Sequence, residues 1–239
     1  MLAIAHSELV QILRNRAVLV TNLVMPVLAS AFFIYNRDAF AQLGSLGYVA
    51  AVIVFTIGAF SLYTTAVTTL AARRQDLFLK RLRSTTAGDQ AILSGLVLPV
   101  SAIALVQVGV ILAVFAAVGG GPANPALLVV AIVASFTMLL ALAMATAGLT
   151  RSPEHAQVTT LPLSLGTIAV ANWVGITGTE SLTLVKRLLP GGAATELVMD
   201  TWNGGVPVTE SLALLGPTFA WVVVAVALAT RMFRWEPGR

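Results

Sequence analysis

Six long stretches of this sequence contain no Asp, Glu, Lys, Arg or His: 17–35, 46–70, 93–118, 126–149, 158–178 and 213–230. About 20 residues of helix cross a bilayer's hydrocarbon core. One ionised side chain at its centre costs about 2.5–3.5 kcal/mol on an insertion scale. Six charge-free windows of this length therefore predict six membrane spans. The runs are continuous rather than alternating, so helices, not barrel strands, would satisfy the backbone. The expected fold is an all-α polytopic membrane protein.

Composition supports this. Charged residues make up 10% of the chain, hydrophobic ones 58%, and mean hydropathy is +0.92. Soluble domains carry about 25% charged residues, so lipid must cover part of this surface. The absence of cysteine excludes disulfides and thiolate metal sites.

Orientation follows from the basic residues. With the N-terminus inside, Arg14, Arg16, Arg73, Arg74, Lys80, Arg81, Arg83, Arg151, Arg231, Arg234 and Arg239 are cytoplasmic; Arg37, Lys186 and Arg187 are outside. Eleven against three places both termini in the cytoplasm; the expected location is the plasma (cell inner) membrane, as a multi-pass protein. The pI near 10.1 reflects this topology rather than nucleic-acid binding, because the cations sit in short segments between apolar runs.

The leading segment, 1–16, sets Ile4, Leu9, Ile12 and Leu13 among His6, Ser7, Glu8, Gln11 and Arg14. That pattern predicts an amphipathic helix in the membrane interface. Ala29-Ser30-Ala31 resembles a signal-peptide cleavage site, but the apolar run continues through Phe32, Phe33 and Ile34, which favours a retained span. Gly119-Gly120-Gly121-Pro122 should break one helix before the next. The outer segment 179–212 should hold two short helices, 181–189 and 193–202, separated by Pro190-Gly191-Gly192. Trp202 would suit the headgroup level.

The spans carry no ionisable side chain apart from tyrosines, which weakens a proton- or ion-coupled transporter reading. His6 and His155 fall outside the hydrocarbon, and His155 reads as a solvated residue of a tight cytoplasmic turn. No catalytic dyad or metal-ligand spacing appears, so the chain is not expected to be an enzyme and needs no cofactor of its own. A phosphate loop requires Gly-Lys-Ser/Thr. Lys80 and Lys186 are each followed by Arg, so any ATP and Mg would be bound by another polypeptide. Asn22, Thr64, Thr65, Gln107, Asn172 and Trp173 are polar positions within the spans; bonds between helices are favoured over a pathway lining. Pro26, Pro99, Pro162 and Pro217 should kink or begin their helices.

The most informative positive signal is the inner loop from Arg73 to Thr86, read as a helix over 74–85. Phe78, Leu79 and Leu82 fall on one face of it, with Lys80, Arg81 and Arg83 crowding the rest. Such a helix could dock in a partner's groove or rest on anionic lipid.

At this loop the sequence resembles the ABC-2 type transporter permeases, membrane subunits of ATP-driven exporters. Their loop has the form Arg-Glu-x-Gly-Thr-Leu-x-x-Leu-x-x-Thr-Pro; Arg74, Leu79, Leu82 and Thr85 fit it. Gln75, Leu77 and Thr86 stand where Glu, Gly and Pro are usual. The outer stretch with Leu188-Leu189-Pro190, Ala194-Thr195-Glu196-Leu197 and Trp202-Asn203-Gly204 resembles the family's segment of two short re-entrant helices before the last span. The resemblance implies a homodimeric permease bound by separate ABC-type ATPase subunits. Leu77, Phe78, Leu79, Lys80, Arg81, Leu82 and Arg83 would form the ATPase-coupling helix, and Pro190, Glu196 and Trp202 an outer gate. An ion-coupled secondary transporter, a channel subunit and a structural subunit of a membrane complex are the alternatives.

Overall fold

The computed structural model describes residues 23–84 and 88–232, with residues 5–7, 9, 10 and 14 of the leading segment. The expected interfacial helix over 1–16 and the start of the first span lie largely outside the described residues, as do Thr85 and Thr86 of the inner loop.

Among the described residues every regular element is helical. In chain order they are α1 (Met25–Tyr35), α2 (Arg37–Leu43), α3 (Leu46–Ile57), α4 (Thr65–Gln75), α5 (Phe78–Arg83), α6 (Asp89–Gly119) and α7 (Pro125–Leu149). There follow α8 (Pro153–Thr177), α9 (Thr183–Leu188), α10 (Gly192–Asn203), α11 (Val208–Ala213) and α12 (Leu215–Met232). A seven-residue π-helical segment, Gly58–Thr64, joins α3 to α4.

Five helical stretches are long and apolar enough to cross a membrane: Leu46–Gln75, Asp89–Gly119, Pro125–Leu149, Pro153–Thr177 and Val208–Met232. Of the expected first span, α1 supplies 11 residues, and 17–22 lie outside the described residues.

Leu46–Gln75 is the central pillar. Val49, Ala50, Ala51, Val52, Ile53, Val54 and Phe55 are all 0% exposed, so about two turns of it have no outward face. A helix apolar all round belongs in an interior. Around it pack α1, α6, α8 and α10, while α7 packs against α12, α4 and the π-helical segment. The outer helices expose apolar stripes instead: Val106, Val110, Val114 and Val118, four apart on α6, and Phe219, Val223 and Val226 on α12. Stripes of this kind suit acyl chains, not water.

The ends of the elements depart from expectation where charge was used to bound a span. The second span runs on to Gln75 rather than stopping at residue 70, because Arg73 and Arg74 extend its last turns. The loop helix starts at Phe78, not at 74, because Leu77 takes a left-handed conformation that separates it from the span. The fifth span begins at Pro153: the Ser152 side chain accepts from the His155 N–H, and Pro stands in the first turn. His155 is therefore a residue of that first helical turn, exposed but not in a loop. Two of the four prolines begin helices, as expected. Pro26 opens α1, Pro99 and Pro162 lie inside α6 and α8, and Pro217 sits in the first turn of α12.

Candidate functional site

Three places concentrate polar chemistry: the C-terminal end of the second apolar run, its middle, and the segment 179–212, called inner end, middle and outer segment after the orientation expected from the sequence. At the inner end Arg74 is buried, 4% exposed. One guanidinium nitrogen donates to the Ala147 carbonyl at 3.0 Å and another to the Thr150 carbonyl. The last carbonyls of a helix have no partner within it, and a cation there also meets the negative end of the helix dipole. The fork of Arg74 thus closes the C-terminus of α7 and fixes where the inner loop leaves the bundle.

Two residues on, the chain reverses through Leu77, at φ +58° and ψ +14°. A non-glycine residue there costs about 1–2 kcal/mol, and this is the position at which the resembling loops carry Gly. Leu77 is 46% exposed. The six residues of α5 follow. Its apolar face is not offered outward: Leu79 is fully buried, and Phe78 and Leu82 pack against the same core. Arg73 lies over the Phe78 ring, 5.3 Å from its centre. Lys80, Arg81 and Arg83 are exposed, with Arg83 paired to Asp89 at 3.1 Å. The expected apolar face exists, but this chain's own core covers it.

At mid-span the π-helical segment gathers hydrogen bonds from three neighbours. The Ser61 hydroxyl donates to Gln107 on α6 at 2.7 Å, Tyr63 meets Thr146 on α7 at 2.9 Å, and Thr64 meets Ser164 on α8 at 3.2 Å. The hydroxyls of Thr64 and Thr65 reach back five residues, to the Ala59 and Phe60 carbonyls. Gly58 admits Leu139: a Cβ at 58 would lie 2.5 Å from the leucine Cδ1. Asn172 accepts from the Tyr48 hydroxyl at 2.7 Å. These polar residues tie helices to one another, each bond contributing about 0.6 kcal/mol. An apolar crevice of about 410 Å³ opens between α1 and α6, lined by Leu23, Val27, Ile103, Val106, Gln107 and Val110.

The outer segment forms the two expected short helices. Pro190 stands in the turn between them, which the Gly192 N–H closes on the Leu189 carbonyl at 3.0 Å, with Gly191 at φ +94°. Proline second and glycine third suit a turn needing one positive φ. The helix before it is inside out. Lys186 is 1% exposed, its ammonium donating to the Gly178 carbonyl at 2.6 Å and Thr177 Oγ1 at 2.8 Å, 5.3 Å from the Trp173 ring centre. Leu182, Leu184, Val185 and Leu188 face outward. Glu196 accepts from Nε and Nη2 of Arg187, both at 2.7 Å, and from the Thr179 hydroxyl at 2.8 Å.

Trp202 does not face outward to lipid or water. It is buried and stacked on Phe115, ring centres 4.9 Å apart, because α10 is inserted among α3, α7, α8 and α12. Its neighbour Asn203 accepts from the Gly47 N–H and donates to the Ser45 hydroxyl, both at 2.9 Å, and so locks the outer end of the pillar. Burial pushes the Asp200 carboxyl up from its ordinary range. The Ser211 hydroxyl, 3.1 Å away, draws it back, Glu196 and Glu210 raise it further, and Arg187 lowers it.

The structure thus brings Pro190, Glu196 and Trp202 into one folded outer unit, and sets Leu77 to Arg83 at the end of the second span, far along the same pillar. The sequence reading missed Arg74 and Lys186 as buried caps. Among the described residues no group of three or more His, Cys, Asp or Glu is placed to hold a metal. No family model matches the sequence, and no curated protein matches it at a significant level.

Proposed function

We propose that this chain is the membrane subunit of an ATP-driven exporter of the ABC-2 permease type, moving its substrate outward with ATP hydrolysed by a separate ATPase subunit. One observation carries the proposal. A short helix with an exposed basic face packs its apolar side on the core at the end of the central span, where a partner's movement would reach the bundle. The loop's resemblance to the permease pattern supports the same reading. The filled centre of a single copy supports a path between two copies rather than through one. In this reading α1 belongs to a sixth span, both termini are cytoplasmic, and the outer segment dips back into the membrane.

Topology is tested first. Cysteines placed singly at Ser84 and Thr209 in this cysteine-free chain should label from opposite sides of the membrane, since α6, α7 and α8 separate them. Labelling of both by an impermeant reagent in intact cells contradicts the arrangement.

The functional test is purification from native membranes. The chain should bring down an ATP-hydrolysing subunit, whereas the chain alone should hydrolyse nothing. Transport in vesicles should continue when the proton gradient is collapsed and ATP remains. Its loss under those conditions would favour ion coupling instead.

A further inference from the structure

The crevice between α1 and α6 sets apolar walls around one polar group, at a depth where polar groups are costly. Its volume of about 410 Å³ suits a small molecule. Of the side chains that line it, only Gln107 is polar. Gln107 is 7% exposed, and the nearer end of α6, Gly119, lies 12 residues on, about 18 Å along the helix. The two ends of its amide have different partners. The oxygen accepts from the Ser61 hydroxyl at 2.7 Å, in the π-helical segment. The Leu23 backbone carbonyl can only accept, so the NH2 end must face it, on the crevice side. An NH2 carries two donors. One reaches the Leu23 carbonyl at 3.3 Å, longer than the usual separation of about 2.9–3.0 Å. The other has no acceptor among the described residues.

We propose that this crevice binds a neutral lipophile with a carbonyl-type oxygen in an otherwise apolar body, held by the NH2 of Gln107. Plain acyl chains can cover the apolar walls but offer nothing to the spare donor. Their ester oxygens stay at the edges of a hydrocarbon core about 30 Å thick. A charged ligand fits less well, because no ionisable side chain lines the crevice to pair with it. Access is sideways from the bilayer, since Val106 and Val110 stand exposed on the outward stripe of α6. π-helical turns are frequent at functional sites, and Ser61 ties this one to the crevice. The site lies within one copy of the chain, whereas the proposed exporter path runs between two, so it stands or falls independently of the exporter reading.

Benzophenone is a suitable probe: it is neutral and apolar, and near-ultraviolet light makes its single carbonyl label adjacent C–H bonds. Irradiated with the full chain in a mild detergent, it should label 23–27 and 102–111 saturably, and well above the exposed stripe of α12. A long-chain ketone should compete about fivefold better, or more, than the alkane of equal length. Gln107→Leu, close in volume, should erase that preference while labelling persists. Ala102→Phe, at an exposed position in the crevice wall, leaves the amide in place and should suppress labelling by filling the space. Labelling spread equally over α6 and α12 overturns the inference, as does equal competition by ketone and alkane in the wild type. A ketone preference that survives Gln107→Leu overturns it too. If Gln107→Leu does not fold, Ala102→Phe decides: undiminished labelling there rejects the site.

Discussion

Arg74→Met should destabilise the protein by about 3 kcal/mol or more, measured by unfolding in a mild detergent. The substitution removes two charge-assisted hydrogen bonds but leaves the Ala147 and Thr150 carbonyls where they are. A buried acceptor stripped of its donor costs about 1–3 kcal/mol. The apolar replacement removes only one half of each pair, so it gains none of the relief that comes from replacing both. Arg74→Lys should retain part of the stability, since a single ammonium lacks the planar fork that spans two acceptors. Equal stability of Arg74→Met and wild type would show that the clamp contributes nothing. Equal stability of Arg74→Lys and wild type would show that charge alone matters at this site, not geometry.

Gly192→Ala should disrupt the outer segment outright. A Cβ at 192 would overlap the Lys186 carbonyl oxygen, a backbone atom that cannot swing away. The flanking contacts leave little slack: Lys186 is bound to the end of α8, and Arg187 to Glu196. Overpacking commonly costs about 1–3 kcal/mol, and this case should lie at or above the top of that range. Opening the turn would also free α10 to leave the bundle, exposing Trp202 to quenchers and 190–205 to protease. The control is Gly166→Ala in α8, where a Cβ meets nothing within 4 Å. That change should be neutral or stabilising, as alanine is the better helix former by about 1 kcal/mol. If the two variants behave alike, crowding at Gly192 is not what shapes the turn.

Five of the six long apolar runs and the two short helices of 179–212 were legible in the sequence because hydropathy and Pro/Gly placement are local signals. What was not legible depends on partners distant in the chain. Arg73, Arg74 and His155 were placed outside the spans because charge marks the edge of hydrocarbon, yet all three lie in the long helices that continue those spans. Nothing near Lys186 announces that its ammonium turns inward, because the preceding helix end that receives it takes shape only in the folded chain. Trp202 read as a headgroup residue by type, and only the insertion of α10 against Phe115 makes it interior. The π-helical segment has no local signature at all: Gly58, Ser61, Tyr63 and Thr64 would suit an ordinary α-helix. The inner loop's apolar face was read correctly from spacing. Spacing alone did not say that the face would be spent inside the molecule.

The two buried caps differ in when they can form. Lys186 closes on carbonyl and hydroxyl groups eight and nine residues before it, which have already been made when the lysine emerges from the ribosome. Arg74 closes on carbonyls 73 and 76 residues after it. Synthesis runs from the N-terminus, so these acceptors do not exist while the second span is being threaded. Until α7 has been inserted, the inner end of the pillar cannot settle into its final place against them. Biogenesis therefore has an order written into one side chain: the central helix is fastened only once α7 has arrived.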